Sequence, residues 1–122
     1  MKQVAVCGVC DSIMQPLEQC NDYQFTYFGD SKIEKGYVKL AHFIKSGPLP
    51  DLILVGYAGA AGLVACDHLK GQTNSPPIIW FCDRSEFEPE AKRLGVGFLP
   101  NSMEQQDILS AVQSFERRFA AL

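Results

Sequence analysis

Residues Pro50-Asp-Leu-Ile-Leu-Val-Gly56 contain the clearest strand signal in this sequence. Their centre, Leu52 to Val55, is a continuous apolar run, which is typical of a parallel-sheet strand covered by helices on both faces. Ile78 to Phe81 repeats this pattern further along the chain. Between the two runs, the small residues of Gly59 to Leu69 predict a helix. Strand, helix and strand in this order predict a right-handed βαβ unit.

The same alternation continues towards both ends of the chain. Shorter apolar runs predict three more strands, at Val4 to Cys7, Phe25 to Phe28 and Gly97 to Leu99. Helices are predicted at Asp11 to Cys20 and Glu88 to Leu94. Two further helices are predicted, one after the second strand and one after the fifth. This order predicts one α/β domain over residues 1–122, a three-layer, doubly wound, five-stranded parallel sheet in the flavodoxin-like order 2-1-3-4-5.

Local sequence signals predict where the second and last helices begin. Ser31 and Glu34 have the spacing of a capping box at the start of the second helix, and Gly47 ends it. Ser102 and Gln105 have the same spacing before the last helix. Apolar residues at helical spacing predict the buried stripes of the two helices, which are Ile33, Tyr37, Leu40, Ala41 and Ile44 in the second and Ile108, Leu109, Val112, Phe115 and Phe119 in the last.

Composition limits the classes of partner that we expect. Apolar residues make up 47% of the chain and charged residues 20%, as in an ordinary globular domain. The net charge of −3 gives no electrostatic reason to expect nucleic acid or an anionic membrane as a direct partner. The sequence has no long apolar run and no signal-peptide pattern, and five cysteines are an odd number for a disulfide framework. We therefore expect a cytoplasmic protein with free thiols.

Three stretches resemble the receiver domains of bacterial response regulators. Pro50-Asp-Leu-Ile-Leu-Val-Gly56 is similar to the family's third strand, which ends in the phospho-accepting aspartate. Pro77-Ile-Ile-Trp-Phe-Cys82 is similar to the fourth strand, which ends in threonine or serine. Glu90-Ala-Lys-Arg-Leu-Gly-Val-Gly-Phe-Leu-Pro-Asn101 is similar to the segment that ends in the family's lysine and proline, with Asn101 in the place of the lysine. The resemblance covers essentially the whole chain and is weakest in the first 30 residues.

The resemblance also implies that the family's phosphorylation chemistry is lost here. The acceptor position holds Gly56, which offers no carboxylate nucleophile. The positions of the hydroxyl and the lysine hold Cys82 and Asn101.

The acidic pair that would hold Mg²⁺ in a receiver is missing as well. It falls on Gly8 and Val9, or on Val9 and Cys10 if the register shifts by one residue, and neither choice supplies a carboxylate. Asp11 is the only acid nearby. We therefore expect no bound cofactor or metal and no enzymatic activity.

A signalling module that works without phosphorylation is the function that this pattern predicts. The resemblance implies contact with a protein partner, or a homodimer, through the face formed by helix 4, strand 5 and helix 5. Candidate residues of that face are Phe87, Arg93, Phe98 and Pro100. Phe98 matches the strand 5 aromatic residue that the family uses in switching, and it can equally be a packing residue.

Two alternatives remain open at this point. Cys7-Gly-Val-Cys10 is a C-x-x-C motif where a strand runs into a helix, the layout of a cytosolic thiol-redox site. The second alternative is a small-molecule sensor that uses the former phosphorylation site as a pocket, lined by Tyr57, Cys82 and Asn101.

Overall fold

The computed structural model describes residues 1–72 and 74–121. Within them five strands alternate with five α-helices, and a 3-10 turn at Ser85–Phe87 precedes the fourth helix. The elements are β1 (Lys2–Cys7), α1 (Asp11–Glu18), β2 (Tyr23–Tyr27), α2 (Gly36–Ser46), β3 (Leu52–Val55), α3 (Gly59–Lys70), β4 (Ile78–Phe81), α4 (Glu88–Leu94), β5 (Gly97–Leu99) and α5 (Gln105–Ala120).

The strands form one sheet in the order β2-β1-β3-β4-β5, and each neighbouring pair is parallel. This confirms the predicted fold class and strand order. Helices α2, α3 and α4 cover one face of the sheet, and α1 and α5 cover the other. All residues of β3 and β4 are buried, because both faces of these central strands lie beneath helices.

The predicted start of the second helix is wrong. Helix α2 begins at Gly36, and Ile33 lies before it with 96% of its surface exposed. Ser31 Oγ does accept a hydrogen bond from the Glu34 N–H at 3.1 Å, but this closes a turn ahead of the helix. Asp30 Oδ1 instead accepts from the Gly36 N–H at 2.7 Å and so satisfies a free donor of the first helical turn.

The cap predicted for the last helix is also wrong. Helix α5 begins at Gln105, one of the two residues predicted at its start, but its N-cap is Glu104 and not Ser102. Ser102 lies in the loop before it, where its N–H donates to Asp83 Oδ1 at 3.0 Å. Of the predicted stripe of this helix, Ile108 and Val112 are fully buried, and the other members pack at its margin.

The remaining boundaries shift by a few residues at most. β1 and β2 begin two residues earlier than predicted, and α1 ends at Glu18 rather than Cys20. Residues 1–72 and 74–121 contain no helix of the length and apolarity needed to cross a membrane.

Candidate functional site

The positions that the sequence resemblance to receiver domains singles out lie together at the carboxyl ends of the parallel strands. Cys7 and Val55 are paired in register as the last residues of β1 and β3, so Gly8 and Gly56 follow side by side. On the other side of β3, the Cys82 N–H donates to the Leu99 carbonyl oxygen at 2.9 Å. In open α/β sheets ligands bind outside this edge, so it is the natural candidate site.

Gly56 lies where the loop after β1 comes closest to β3. A Cβ atom built on Gly56 would be 2.5 Å from the Gly8 carbonyl oxygen and 2.6 Å from Val9 Cα. Real Cβ atoms essentially never approach backbone this closely. The Gly56 N–H also donates to the Cys7 carbonyl oxygen at 3.0 Å, which fixes this approach. The acceptor position therefore has no room for a side chain of any kind.

Tyr57 covers the same loop from the other side. Gly8 has a φ of 73°, and a Cβ atom there would be 2.8 Å from the Tyr57 ring. The Tyr57 hydroxyl donates to Asp30 Oδ1 at 2.7 Å, and its carbonyl oxygen accepts from Trp80 Nε1 at 2.8 Å. Both ends of Tyr57 are thus held, and its ring lies over Gly8.

Two further glycines make room for this arrangement. A Cβ atom on Gly62 would be 2.1 Å from the Tyr57 carbonyl oxygen and 2.3 Å from Trp80 Nε1, so a side chain there would break the hydrogen bond between those atoms. A Cβ atom on Gly36 would be 2.0 Å from the Phe28 carbonyl oxygen and 2.9 Å from the Tyr57 hydroxyl. The packed arrangement of Gly8, Gly56, Tyr57 and Asp30, called the closed site below, therefore requires both glycines.

The electrostatics of the site favour this hydrogen bonding at neutral pH. Hydrogen bonds from the Gly36 N–H and then from the Tyr57 hydroxyl hold the pKa of Asp30 below its ordinary value. Burial, and then the hydrogen bond to Asp30, raises the pKa of Tyr57. Burial, with a smaller contribution from the charge of Asp30, raises the pKa of Cys7 to about 12. Asp30 is thus an ionised acceptor, whereas Tyr57 and Cys7 keep their protons.

The role of Asp30 was not predicted from the sequence. It lies in the loop between β2 and α2, 27 positions before Tyr57, and no local motif marks it. The only available signal was that Asp30 is an acidic residue shortly before a predicted helix. The cap of that helix was assigned to Ser31 instead. Tyr57 was predicted as the wall of a pocket, but it fills the space beside Gly8.

Cys82 and Asn101 line the other side of this edge. Cys82 is buried, and its sulfur accepts from the Arg84 N–H at 3.4 Å. Asn101 is half-buried, and its Oδ1 atom accepts no hydrogen bond from the described residues. Neither side chain carries a hydroxyl or an ammonium group.

The carboxylates of Asp11 and Asp83 lie near this edge on separate parts of the chain. Asp11 is exposed on the first turn of α1, and Asp83 is bonded to the Ser102 N–H. Among residues 1–72 and 74–121, no group of three histidine, cysteine or acidic side chains has the geometry to hold a metal ion.

The geometry does not favour redox use of the C-x-x-C motif. Cys7 is 1% exposed, and its raised pKa keeps it a thiol at physiological pH. Cys10 is exposed, with its sulfur 3.3 Å from Ser12 Oγ, and all five cysteines are free. The strand pairs described are all parallel, whereas a thioredoxin-like site needs an antiparallel hairpin.

The residues predicted for the interaction face divide into two pairs. Phe87 and Phe98 are half-buried and contact the Trp80 ring edge-on, with centroid distances of 5.8 and 5.3 Å. Arg93 and Pro100 are exposed, and Arg93 Nη2 lies 2.8 Å from the carboxylate of Glu90 on the same helix. Phe87 and Phe98 are therefore a half-buried aromatic base, and Arg93 and Pro100 are the exposed rim beside it.

The strand order and the position of this edge define the class of fold, which is that of the response-regulator receiver domains. The chain is similar to a LuxR family DNA-binding response regulator from Silicibacter pomeroyi, with a TM-score of 0.76 and 19% identity over 96% of this chain and 93% of that one. It is also similar to the response regulatory domain of protein mrkE from Klebsiella pneumoniae, with a TM-score of 0.67 and 9% identity over 95% of this chain and 98% of that one. No protein-family model and no curated protein sequence matches the chain significantly. The receiver fold predicted from the sequence is confirmed.

Proposed function

We propose that this chain is a signalling module of the receiver type that acts by protein contact and without phosphorylation. The observation that carries the proposal is the closed acceptor position, where the backbone of Gly8 and Val9 takes the space of a side chain on Gly56. Phosphoryl transfer needs a nucleophile, a bound Mg²⁺ and a cation for the developing charge. The chain has Gly56, Val9 and Asn101 at those positions, so we assign it no catalytic role and no cofactor.

The face formed by α4, β5 and α5 is the proposed contact for a protein partner or for a second copy. Phe98 and Phe87 pack on Trp80 and form the base of this face. Arg93 and Pro100 are exposed at its rim, where a partner meets them. The net charge of −3 supports protein rather than nucleic acid or membrane as the direct contact. Five free cysteines support the cytoplasm as the compartment.

Treatment with acetyl phosphate and Mg²⁺, followed by intact mass measurement, tests the proposal. We expect no phosphoryl adduct on this chain under conditions in which a phosphorylation-competent receiver is modified. The variant Gly56→Asp restores the acceptor carboxylate in sequence, and we expect no adduct on it either, because the metal ligands and the cation are still missing. A stoichiometric, hydroxylamine-labile adduct on the natural chain would refute phosphorylation independence.

Self-association through the proposed face is tested by sedimentation velocity over a range of concentrations. If the partner is a second copy, the dimer dissociates in Arg93→Glu and persists in Lys70→Glu, which makes the same charge change on α3. A dimer that resists Arg93→Glu would place the contact on another face.

A further inference from the structure

Strand β2 lies at one edge of the sheet and, within the described part of the chain, pairs with β1 alone. The Asp22 carbonyl oxygen accepts from the Lys2 N–H at 2.9 Å, and the Phe28 N–H donates to the Val6 carbonyl oxygen at 2.8 Å. Peptide groups alternate in direction along a strand, so the even-numbered residues of this segment direct their main-chain groups towards β1.

The odd-numbered residues of β2 direct their main-chain groups away from the sheet. They are Tyr23, Phe25 and Tyr27, and among the described residues their three N–H and three carbonyl groups have no hydrogen-bond partner. Unpaired groups in a row on an edge strand are a template on which another strand can pair.

This edge lacks the features that usually prevent strand pairing. Its sequence, Tyr-Gln-Phe-Thr-Tyr, contains no charged residue and no proline, and its register with β1 runs without a bulge. Aromatic residues and threonine also favour strand structure. The edge is therefore suited to continue the sheet.

The side chains of β2 form two rows of different character. Tyr23 and Phe25 pack in the layer beneath α1 and α5, the Tyr27 hydroxyl bonds to α1, and the ring centroids are 5.8 and 6.4 Å apart along this row. Gln24 and Thr26 alternate with them on the other face of the sheet, and both are exposed. One row is thus aromatic and the other is polar and uncharged.

A second copy of the same strand complements both rows. In an antiparallel pair with its two-fold axis at Phe25, Phe25 faces its own copy, Tyr23 faces Tyr27, and Gln24 faces Thr26. Aromatic side chains then meet aromatic side chains, and polar side chains meet polar ones. Every outward main-chain group is paired in this register, because opposed outward residues exchange both hydrogen bonds.

The charges held closest to β2 are kept apart in this arrangement. Antiparallel symmetry brings equivalent residues together only at Phe25, which is uncharged. The Glu18 carboxylate accepts from the Tyr27 hydroxyl, and the two copies of Tyr27 lie four residues apart, or about 13 Å along the paired strands. That distance exceeds the screening length of about 8–10 Å in physiological salt. Lys39 Nζ is bonded to the Gly29 carbonyl oxygen, which is further from the axis.

We infer that two copies of this chain join through their β2 edges to form one continuous sheet. The five residues of each edge and their neighbours are about half of the 20–30 residues that a standard interface takes from each side, so the dimer is weak, with a dissociation constant on the order of 10 μM. β2 and β5 are opposite edges of the sheet, so this contact leaves the proposed face of α4, β5 and α5 free for another partner.

Sedimentation velocity from about 1 to 500 μM, with charge variants of the two exposed polar positions, tests this inference. Gln24→Lys with Thr26→Lys places lysines opposite one another across the pair, and Gln24→Glu with Thr26→Glu does the same with glutamates. We expect each double variant alone to dimerise at least tenfold more weakly than the natural chain. An equimolar mixture of the two should form a heterodimer with at least the natural affinity, because opposite charges then face each other.

A matched control and a second readout separate this effect from a general loss of folding. Ala61→Lys with Val64→Lys makes the same charge change on the exposed face of α3, and it should leave the dimer unchanged. Hydrogen exchange of the Phe25 and Tyr27 amides should slow as the concentration of the natural chain rises, since only the second copy protects them. Thermal unfolding checks that every variant is folded.

Three results would overturn the inference. They are a natural chain that stays monomeric throughout this range, a dimer that both charge variants of β2 leave intact, and a mixture of these variants that stays monomeric. A dimer that Arg93→Glu dissociates and the β2 variants do not would belong to the face of α4, β5 and α5. The β2 variants leave Arg93 and Gly56 unchanged, so failure here is distinguishable from failure of the proposed function.

Discussion

Gly56 has no side chain, and the backbone of the loop after β1 lies where one would be. The distances of 2.5 Å to the Gly8 carbonyl oxygen and 2.6 Å to Val9 Cα involve main-chain atoms, which cannot turn aside as a flexible side chain can. The glycine is thus required by packing. An aspartate at this position would displace the loop.

Gly56→Ala tests this requirement with the smallest possible side chain. We expect it to lower the free energy of unfolding by about 3 kcal/mol, because the loop after β1 must move to admit a methyl group. Gly29→Ala is the matched control, since a Cβ atom there meets nothing within 4 Å, and its effect should stay within about 0.5 kcal/mol. Urea unfolding monitored by Trp80 fluorescence measures both, and equal stabilities would contradict the packing argument.

Asp30 gives the closed site a dependence on pH. Its folded-state pKa lies below the ordinary value of 3.8, mainly because the Gly36 N–H and the Tyr57 hydroxyl donate to the carboxylate. A group whose pKa is lowered on folding stabilises the protein above its unfolded pKa, and this contribution is lost as the pH falls through the lower, folded value.

Asp30→Asn should therefore destabilise the chain at pH 7. This effect should begin to fall below about pH 4 and should disappear as the pH falls through the lower, folded pKa of Asp30. Tyr57→Phe, which removes the hydroxyl donor but keeps the ring over Gly8, should cost about 0.5–1 kcal/mol at pH 7. Urea unfolding at a series of pH values measures both variants against the natural chain. A constant difference between Asp30→Asn and the natural chain down to pH 3 would show that the carboxylate does not act as described.

At the scale of elements, two adjacent residues in the second half of α5 attach this helix to the sheet. Phe115 packs on Gly97 of β5, where a Cβ atom would be 2.9 Å from the ring. One residue later, Glu116 accepts hydrogen bonds from Lys2 Nζ, at 2.5 Å, and from the Tyr23 hydroxyl. These contacts join the last helix to the beginnings of β1 and β2.

Glu116→Ala should detach this end of α5. The Glu116 side chain is 11% exposed, and its loss leaves the half-buried Tyr23 hydroxyl without its acceptor, so we expect a cost of about 1–2 kcal/mol. Glu104→Ala at the exposed start of the same helix is the control, with an expected effect within about 0.5 kcal/mol. Thermal and urea unfolding measure the difference, and equal stabilities of the two variants would show that the Glu116 contacts contribute little.

At the scale of the whole molecule, the helical layer of α2, α3 and α4 encloses three of the five thiols. Cys7, Cys66 and Cys82 are each 1% exposed or less. Burial raises the pKa of Cys66 to about 12, as it does that of Cys7. Cys10 is exposed and Cys20 is half-buried on the other side of the sheet.

Titration of the native chain with a disulfide reagent at pH 8 should therefore show one fast thiol and one slower thiol. The three enclosed thiols should react only when the protein unfolds, because none of them is accessible to solvent. The raised pKa of Cys7 and of Cys66 also keeps those two thiols protonated at this pH. Cys10→Ser should remove the fast phase. Rapid reaction of Cys7, or a disulfide between Cys7 and Cys10, would revive the redox alternative.

Much of the fold was predictable because its signals are local. The apolar runs at Leu52–Val55 and Ile78–Phe81 and the short strand Gly97–Leu99 appear in the structure with the predicted bounds. A buried strand must be apolar on both faces, so its residues carry the information themselves. The residues at the positions of a receiver's phosphorylation site could also be identified from the sequence, once the resemblance had aligned this chain with the family.

The starts of α2 and α5 were not predictable in this way. Local spacing pointed to Ser31 and Ser102. The carboxylate of Asp30 instead binds the Gly36 N–H in the first turn of α2, and that of Asp83 binds the Ser102 N–H in the loop before α5. Asp83 reaches its partner across 19 positions of sequence, so only the folded chain brings the two together.

Sequence alone determined the layered α/β architecture and the residue types at the positions that correspond to a receiver's phosphorylation site, since both follow from the types and periodicity of residues along the chain. Tertiary structure decided that the space around Gly56 is closed. The Tyr57–Asp30 hydrogen bond, the approach of Gly8 to Gly56 and the packing of Phe28 on Phe43 each join separate loops or elements. Their geometry depends on how the strands align in the sheet, which no local pattern specifies.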